Sequence, residues 1–355
     1  MGVFMYRMSV YAHPHVRKSG SYFGYAYAYQ EIEKHIRNYS YNGMQLYVDS
    51  NSPKSKVQLY FGSPPGFFFP HQYKIQMTQW ESTKVPPSWV DLARGYDEWW
   101  TANPFGANAF VNAGVPKEKV HVYEHGVDHQ FWSPKKRGEN NVIRFLHIDS
   151  GSPRKRGDLV FNAFKAAFGN SLDYELTLKY SHYPASGVDW NIPHVMENHG
   201  EWDQNVRHIR ENMDIRHLLS LFHYHDVLVY PSEGEGFGMI PLQALATGMP
   251  VISTGIWCSY ENLLNGNVIE SKLGISDIVE NYVRYGEVVL PSFDSTVYLL
   301  KNIVENFDIQ SKVFLNQVDR VKTEYDWQYR TDLVMDGLIS RIGIESFESS
   351  KEYLR

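Results

Sequence analysis

Two carboxylates, Glu233 and Glu235, stand just before Gly236-Phe237-Gly238 in the stretch DVLVYPSEGEGFGMIPLQALATGMPVIST, residues 226–254. The surrounding pattern reads as a buried strand over Val227–Tyr230, a polar turn from Pro231 to Gly238, and a helix from Met239 to about Thr247. Gly248 stops that helix, Pro250 bars its continuation, and Val251 and Ile252 open a second strand. A strand–turn–helix–strand unit aims a helix N-terminus at the C-terminal edge of a parallel sheet, where unpaired amides and the helix dipole attract anions. A ligand bound there meets anion-binding amides and hydroxyl-accepting carboxylates together, and a phosphorylated sugar carries both groups. An ordinary αβ turn with solvated acids produces the same pattern, because glycines recur in such turns.

The spacing Glu235-Gly-Phe-Gly-x4-Gln243, followed by ALATGMPVI, resembles the Glu-x7-Glu signature of retaining glycosyltransferases of family four. The match covers Pro231, Ser232, Glu235, Gly236, Phe237, Gly238, Ala244, Ala246, Gly248, Pro250, Val251 and Ile252, while Gln243 stands where the second Glu is usual. Three further segments resemble the same family: QWESTKVPPSWVDLARGYDEWW within residues 79–115, VPKEKVHVYEHGVDHQFWSP at 115–134, and FLHIDSGSPRKRGDLVFNAFKAAF at 145–168. The resemblance implies an α/β chain of the GT-B architecture, with two facing Rossmann-like domains and a C-terminal helix that crosses back to the first. Residues 1–134 would form the N-terminal acceptor domain, 135–325 the nucleotide-sugar donor domain, and 326–355 the returning helix, with Trp327 at its start.

The resemblance also implies roles. Glu235 lies at the sugar, the Phe237, Gly238 and Met239 amides line sugar and diphosphate, and Gly236 and Gly238 permit close backbone approach. Gln243 meets the ribose hydroxyls with bonds that lack the charge assistance of a carboxylate. The family's phosphate-binding Arg becomes Gly151 in this alignment and Arg156 takes the Lys position, so Arg154 or Lys155 is expected to replace the missing guanidinium by a shifted loop. Read without the family, the same cluster is a solvated basic turn. Lys179, at a strand end, is a further phosphate-side candidate. Gly20 and Gly24, in the loop after the first strand, are placed to let backbone approach donor phosphate or acceptor. A retaining reaction without paired carboxylates fits a front-face mechanism, in which the leaving phosphate takes the acceptor proton. Candidates for a protein base are Glu81 in the WES segment and the loop histidines His13 and His15, although a single histidine is more often structural.

No bound cofactor and no metal are expected. The chain contains no His-Glu-x-x-His and no cysteine pair, and the histidines of HIDS (147–150) and FHYHD (222–226) lack ligand spacing. The donor is expected to be a nucleotide-diphosphate sugar, UDP-sugar favoured. The acceptor is a saccharide, a protein side chain or a hydroxylated DNA base; small members of the family occur in phage genomes, so hydroxymethylated DNA is the runner-up. A catalytically weakened nucleotide-sugar-binding protein is the second alternative, motivated by Gln243 and Gly151.

Composition bounds these readings. A chain of 355 residues suffices for two domains, and 43% hydrophobic with 21% charged residues describes a soluble globular protein. No run of about eighteen apolar residues predicts a transmembrane helix, and the N-terminus reads as a strand over Val3–Tyr11 without a secretory core. The single Cys258 rules out an intrachain disulfide and fits a reducing compartment, so the expected location is cytoplasmic, the host's for a phage-encoded chain. Residues 1–140 hold 15 Lys+Arg and 11 Asp+Glu, net +4, whereas 141–355 hold 19 and 29, net −10. A mildly basic first half suits an acidic acceptor but falls short of a dedicated nucleic-acid binder. Strands are expected at Met44–Val48, Val57–Phe61, Tyr73–Met77, Glu98–Thr101 and Val120–Tyr123, with a helix through residues 25–40. Ser133–Gly138 reads as a linker, and beyond it strands and helices alternate, which argues for an open parallel sheet covered on both faces.

Overall fold

Val57–Phe61 is buried at every position, the mark of a strand covered on both faces, and β-branched and aromatic residues suit such a pleated interior. The computed structural model describes residues 6–12, 16, 24–138, 141–150, 152–180, 204–276 and 285–348. The chain divides into two compact units, Met1–Gly126 with Glu324–Arg355, and Val127–Thr323.

The first unit contains a six-stranded parallel sheet of β1 (Arg7–Ala12), β2 (Tyr47–Asp49), β3 (Val57–Phe61), β4 (Tyr73–Met77), β5 (Glu98–Thr101) and β6 (Val120–Val122), in the order β2-β1-β3-β4-β5-β6. Helix α1 (Gly24–Asn38) buries Ala26, Ala28, Tyr29, Ile32 and Ile36, a stripe at helical spacing. Helix α2 (Pro87–Ala93) precedes β5. Helix α3 (Pro104–Asn112) is capped by Asn103, whose side chain accepts from the Gly106 amide at 2.7 Å. An aromatic core of Trp80, Tyr96, Trp99 and Phe110 lies among these elements. The strand expected over Met44–Val48 is split. Met44–Gln45 pairs antiparallel with Ser40–Tyr41, and only Tyr47–Asp49 joins the main sheet. Asn42 and Gly43 both have positive φ, +48° and +78°, the geometry of a tight hairpin turn that an Asn-Gly pair favours.

The second unit contains β7 (Ile143–Asp149), β8 (Tyr174–Tyr180), β9 (Val206–Arg210), β10 (Val227–Tyr230), β11 (Val251–Thr254) and β12 (Val268–Ile269), all parallel, in the order β9-β8-β7-β10-β11-β12. Counted from its first strand this is the order 3-2-1-4-5-6, and the switch point falls between β7 and β10. The helices are α4 (Gly157–Phe168), α5 (Ile215–Tyr224), α6 (Met239–Ala246), α7 (Phe293–Glu305), α8 (Phe307–Asn316) and α9 (Val318–Glu324). Phe145, Val160, Phe164, Leu176, Val229 and Leu300 belong to one buried core shared by β7, β8, β10, α4 and α7. The segment read as a linker is sewn into this unit. Arg137 is 7% exposed and donates to the Thr247 carbonyl at 2.8 Å and the Phe222 carbonyl at 2.9 Å. A guanidinium can satisfy several carbonyls at once, which a solvated linker has no need to do.

Helix α10 (Trp327–Ile342) belongs to the first unit. Its Thr331 meets the Tyr123 hydroxyl at 2.6 Å, and Tyr39 donates to Asp336 at 2.6 Å. Arg341 forms a two-pronged pair with Glu98 at 2.7 and 2.9 Å, and Glu98 is 2% exposed. Removing one partner of a buried pair strands the other's charge, at a cost of about 3 kcal/mol. Arg341→Ala is therefore expected to lower the melting temperature by several degrees, and an unchanged melting curve would show that Glu98 is neutral or rehydrated.

Candidate functional site

Parallel sheets bind ligands beyond the carboxyl ends of their strands, at the switch point. In the second unit that places two segments together, the loop after β7 and the turn after β10. Hydrogen bonds show how they are joined. The Glu233 amide donates to the Arg154 carbonyl at 2.9 Å, and Arg156 Nη1 lies 2.8 Å from Glu233 Oε1. Lys155 Nζ donates to Glu235 Oε1, and Arg154 Nη1 donates to the Gly234 carbonyl and lies 3.5 Å from Glu235 Oε1. The basic loop is therefore ion-paired to the acidic turn, not solvated.

Local sequence explains the loop's shape. Pro153–Lys155 forms a single 3-10 turn, and Arg156 then adopts a left-handed conformation, φ +58° and ψ +42°, before α4 begins at Gly157. A non-glycine residue there costs roughly 1–2 kcal/mol. Arg156 is held in place by Asp158, at 3.0 and 3.1 Å, and by Glu233. Glu233 is also bonded by Ser276 Oγ at 2.7 Å. Burial raises the Glu233 pKa, and the Ser276 bond and Arg156 charge only partly offset it.

Glu235 is the centre of the turn. It is 7% exposed, and its Oε1 accepts from Ser232 Oγ at 2.5 Å and Tyr230 Oη at 3.2 Å besides Lys155. Lys155 Nζ also meets the Tyr230 hydroxyl at 2.8 Å. Burial alone pushes the carboxyl pKa up, but the Lys155 and Arg154 charges and the bonds from Lys155 and Ser232 outweigh it and hold Glu235 below the usual carboxylate range. Burial followed by the Glu235 charge drives the Tyr230 phenol well above its ordinary value. The turn is braced from behind: Thr254 Oγ1 and Trp257 Nε1 both donate to the Ser232 carbonyl, at 2.7 and 3.0 Å.

Gly236, Phe237 and Gly238 are all buried, and Met239, the first residue of α6, is half-exposed. Gly238 has φ +86°, and a Cβ there would stand 2.4 Å from Trp257 Cζ3 and 2.7 Å from the Tyr260 hydroxyl. Close approach at Gly238 is thus first an approach to Trp257 and Tyr260, which sequence reasoning attributed to the ligand. Gln243 lies on α6 at 2% exposure. Lys179 is the penultimate residue of β8 at 3% exposure; burial lowers its pKa, while Asp149 and Glu211 act the other way.

Glu81 belongs to the first unit, after β4, and is half-buried. The Tyr25 phenol is pushed up to about 12 by burial and then by the Glu81 charge, so the two side chains are electrostatic neighbours. Gly20, His13, His15 and Gly151 lie outside the described residues. Residues that the sequence did not single out for this site are Tyr230, Trp257, Tyr260, His147 and Asp149. Only the HIDS motif offers a signal, and as a metal ligand it is set aside for want of ligand spacing. His147 instead meets the Val229 carbonyl and Asp149, and His225 meets the Leu221 carbonyl and Thr177 Oγ1 at 2.7 Å each. Among the described residues no group of His, Cys, Asp and Glu is placed to hold a metal ion, and no helix is long and apolar enough to cross a membrane.

Comparison with known proteins agrees with this geometry. Residues 106–256 match the family model described as Family 4 Glycosyltransferase in conflict systems. A D-inositol 3-phosphate glycosyltransferase of Paenarthrobacter aurescens strain TC1 is 30% identical over 154 residues, which is 40% of this chain and 36% of that protein's length. The crystal structure of Anabaena HepE with UDP and glucose superposes with a TM-score of 0.63 at 12% identity, covering 94% of this chain and 99% of that one. A glycosyltransferase of Rickettsia africae ESF-5 gives 0.66 at 11% identity, covering 95% and 99%. The order of both sheets, the motif around Glu235 and these matches agree: over residues 106–256 the chain is similar to family 4 glycosyltransferases, and it has the α/β GT-B fold.

Proposed function

We propose that this protein is a retaining, metal-independent glycosyltransferase that moves a sugar from a UDP-sugar to a hydroxyl acceptor. The observation that carries the reading is Glu235, held ionised in a buried turn beside Lys155 and Arg154 at the switch point of the second unit. Donor binding belongs to that unit and acceptor binding to the first. The C1–O bond to the diphosphate breaks as the acceptor oxygen bonds C1 on the same face, and the acceptor proton passes to the leaving phosphate oxygen. Glu235 accepts hydrogen bonds from sugar hydroxyls. Lys155, Arg154, Arg156 and Lys179, with the amides from Phe237 to Met239, meet the growing negative charge. Gln243 serves the ribose, and Glu81 is the acceptor-side carboxylate. The solved HepE complex with UDP and glucose supports UDP as the donor nucleotide.

The acceptor we rank second to a saccharide is a hydroxymethylated DNA base. The family's description, glycosyltransferases in conflict systems, favours it, as does the net +4 of residues 1–140. A thermal-shift panel of UDP-, GDP-, ADP-, dTDP- and CMP-sugars in chelator tests the donor. A selective rise with UDP-sugars is expected. The anomeric configuration of the product, read by NMR, then tests retention, and a product of inverted configuration or a strict need for added metal would sink the mechanism.

A further inference from the structure

His147 is fully buried in β7, and its ring is bracketed by two acceptors. Nδ1 lies 2.9 Å from the Val229 carbonyl oxygen, and Nε2 lies 2.9 Å from Asp149 Oδ2. A carbonyl oxygen only accepts, so Nδ1 carries a hydrogen. A neutral ring would then turn its Nε2 lone pair onto a carboxylate oxygen, two acceptors in contact where water is excluded. Turning the ring over loses both bonds. A proton between Nε2 and Oδ2 removes the conflict, and the pair that shares it carries no net charge.

Asp149 closes β7 at 7% exposure, directly before the basic loop. Its Oδ2 stands 3.3 Å from where a Cβ on Gly157 would be, at the first residue of α4. Its charge acts on Lys179 and Tyr180 of β8 and on Tyr230 of β10, whose hydroxyl is bonded to Lys155 and Glu235. A bare carboxylate in this place works against a diphosphate. The charged groups around it are Arg154, Lys155, Arg156, Lys179 and Arg210 on one side and Glu233, Glu235, Asp158 and Glu211 on the other. With the His147–Asp149 pair neutral, the site keeps one positive charge in excess; without the charge of the imidazolium, it keeps none.

We propose that His147 is a positioning residue of the donor site: as an imidazolium it cancels the charge of Asp149 beneath the phosphate loop and fixes that carboxylate against the start of α4. This rests on the nucleotide-diphosphate reading above. It assigns a task to a buried polar pair at the switch point that the transfer chemistry does not use.

The test combines a spectroscopic and a rescue measurement on the full chain. In histidine labelled with nitrogen-15, the His147 signals are identified as those that move in Asp149→Asn. Both ring nitrogens of His147 are expected to carry hydrogens at neutral pH; a lone pair on Nε2 overturns the proposal. UDP affinity by calorimetry is expected to fall about tenfold in His147→Gln, the effect of one added negative charge, ~1.4 kcal/mol. The double variant His147→Gln/Asp149→Asn is expected to recover to within roughly threefold of wild type, because both members are then neutral. Loss without recovery makes His147 merely structural and overturns the proposal, and unchanged affinity in His147→Gln does the same while leaving the donor reading standing. Absence of UDP binding by the wild-type protein overturns the donor reading itself, and the role of the pair with it.

Discussion

Glu235→Gln is expected to lower the rate of transfer at saturating donor by roughly 100-fold or more, the usual effect of removing one preorganised electrostatic group from a transfer site. Gln keeps the volume and one acceptor oxygen but ends the charge-assisted bonds with Lys155 and Arg154. Glu235→Ala is a harsher change. An alanine leaves both cations buried beside no carboxylate, which costs about 3 kcal/mol, so lost activity in that variant reports folding as well as chemistry. The pH dependence follows from the direction of the shift. The folded Glu235 carboxyl lies below its ordinary 4.5, so its stabilising contribution is fully present above that value and fades as pH falls through the folded one. Melting curves between pH 7 and pH 3, wild type against Glu235→Gln, are expected to converge at the acid end. Wild-type turnover in Glu235→Gln would remove this carboxylate from the site.

Gly238→Ala is expected to damage the same turn through backbone and packing. At φ +86° an alanine costs about 1 kcal/mol over glycine. Its Cβ would also press within 2.4 Å of the Trp257 ring and 2.7 Å of the Tyr260 hydroxyl. Overpacking of that kind costs about 1–3 kcal/mol more. Tyr260 donates to the Gly238 carbonyl, and Trp257 braces Ser232, so the strain passes directly to Ser232 and Glu235. Donor-induced thermal shift is expected to vanish in Gly238→Ala, with a drop in melting temperature of several degrees. A Gly238→Ala protein that melts and binds donor like wild type would show that Trp257 and Tyr260 yield freely.

Much of the architecture was legible because parallel strands and amphipathic helices write their burial into the chain at fixed periods. Val57–Phe61, Tyr73–Met77, Glu98–Thr101 and Val227–Tyr230 stand where the apolar runs put them. Helix α6 ends at Ala246 with Gly248 at φ +69°, as the Gly-x-Pro punctuation implied. The error at Met44–Val48 came from reading one strand where two pairings divide the run: Met44 and Gln45 fold back from the Asn42-Gly43 turn onto Ser40–Tyr41, and the main sheet takes up the chain only at Tyr47. The error at Ser133–Gly138 came from composition, since Lys, Arg and Gly look solvated until the carbonyls that receive Arg137 are known.

By itself the sequence determined the strand–turn–helix unit, the glycines at its bend and the acid at its tip, because each follows from local backbone preference and spacing. Only the tertiary structure decided what that acid touches. Lys155 and Glu235 are eighty residues apart in the chain, and Arg156 and Glu233 seventy-seven. They meet because β7 and β10 are neighbours in the sheet, an adjacency set by the 3-2-1-4-5-6 winding. The loop that reads as a solvated basic turn is for the same reason a set of ion pairs, and the histidine to which sequence reasoning assigned no task is clamped between a carbonyl of β10 and the carboxylate that ends its own strand. Charge is local in sequence, but its compensation is a property of the packed sheet.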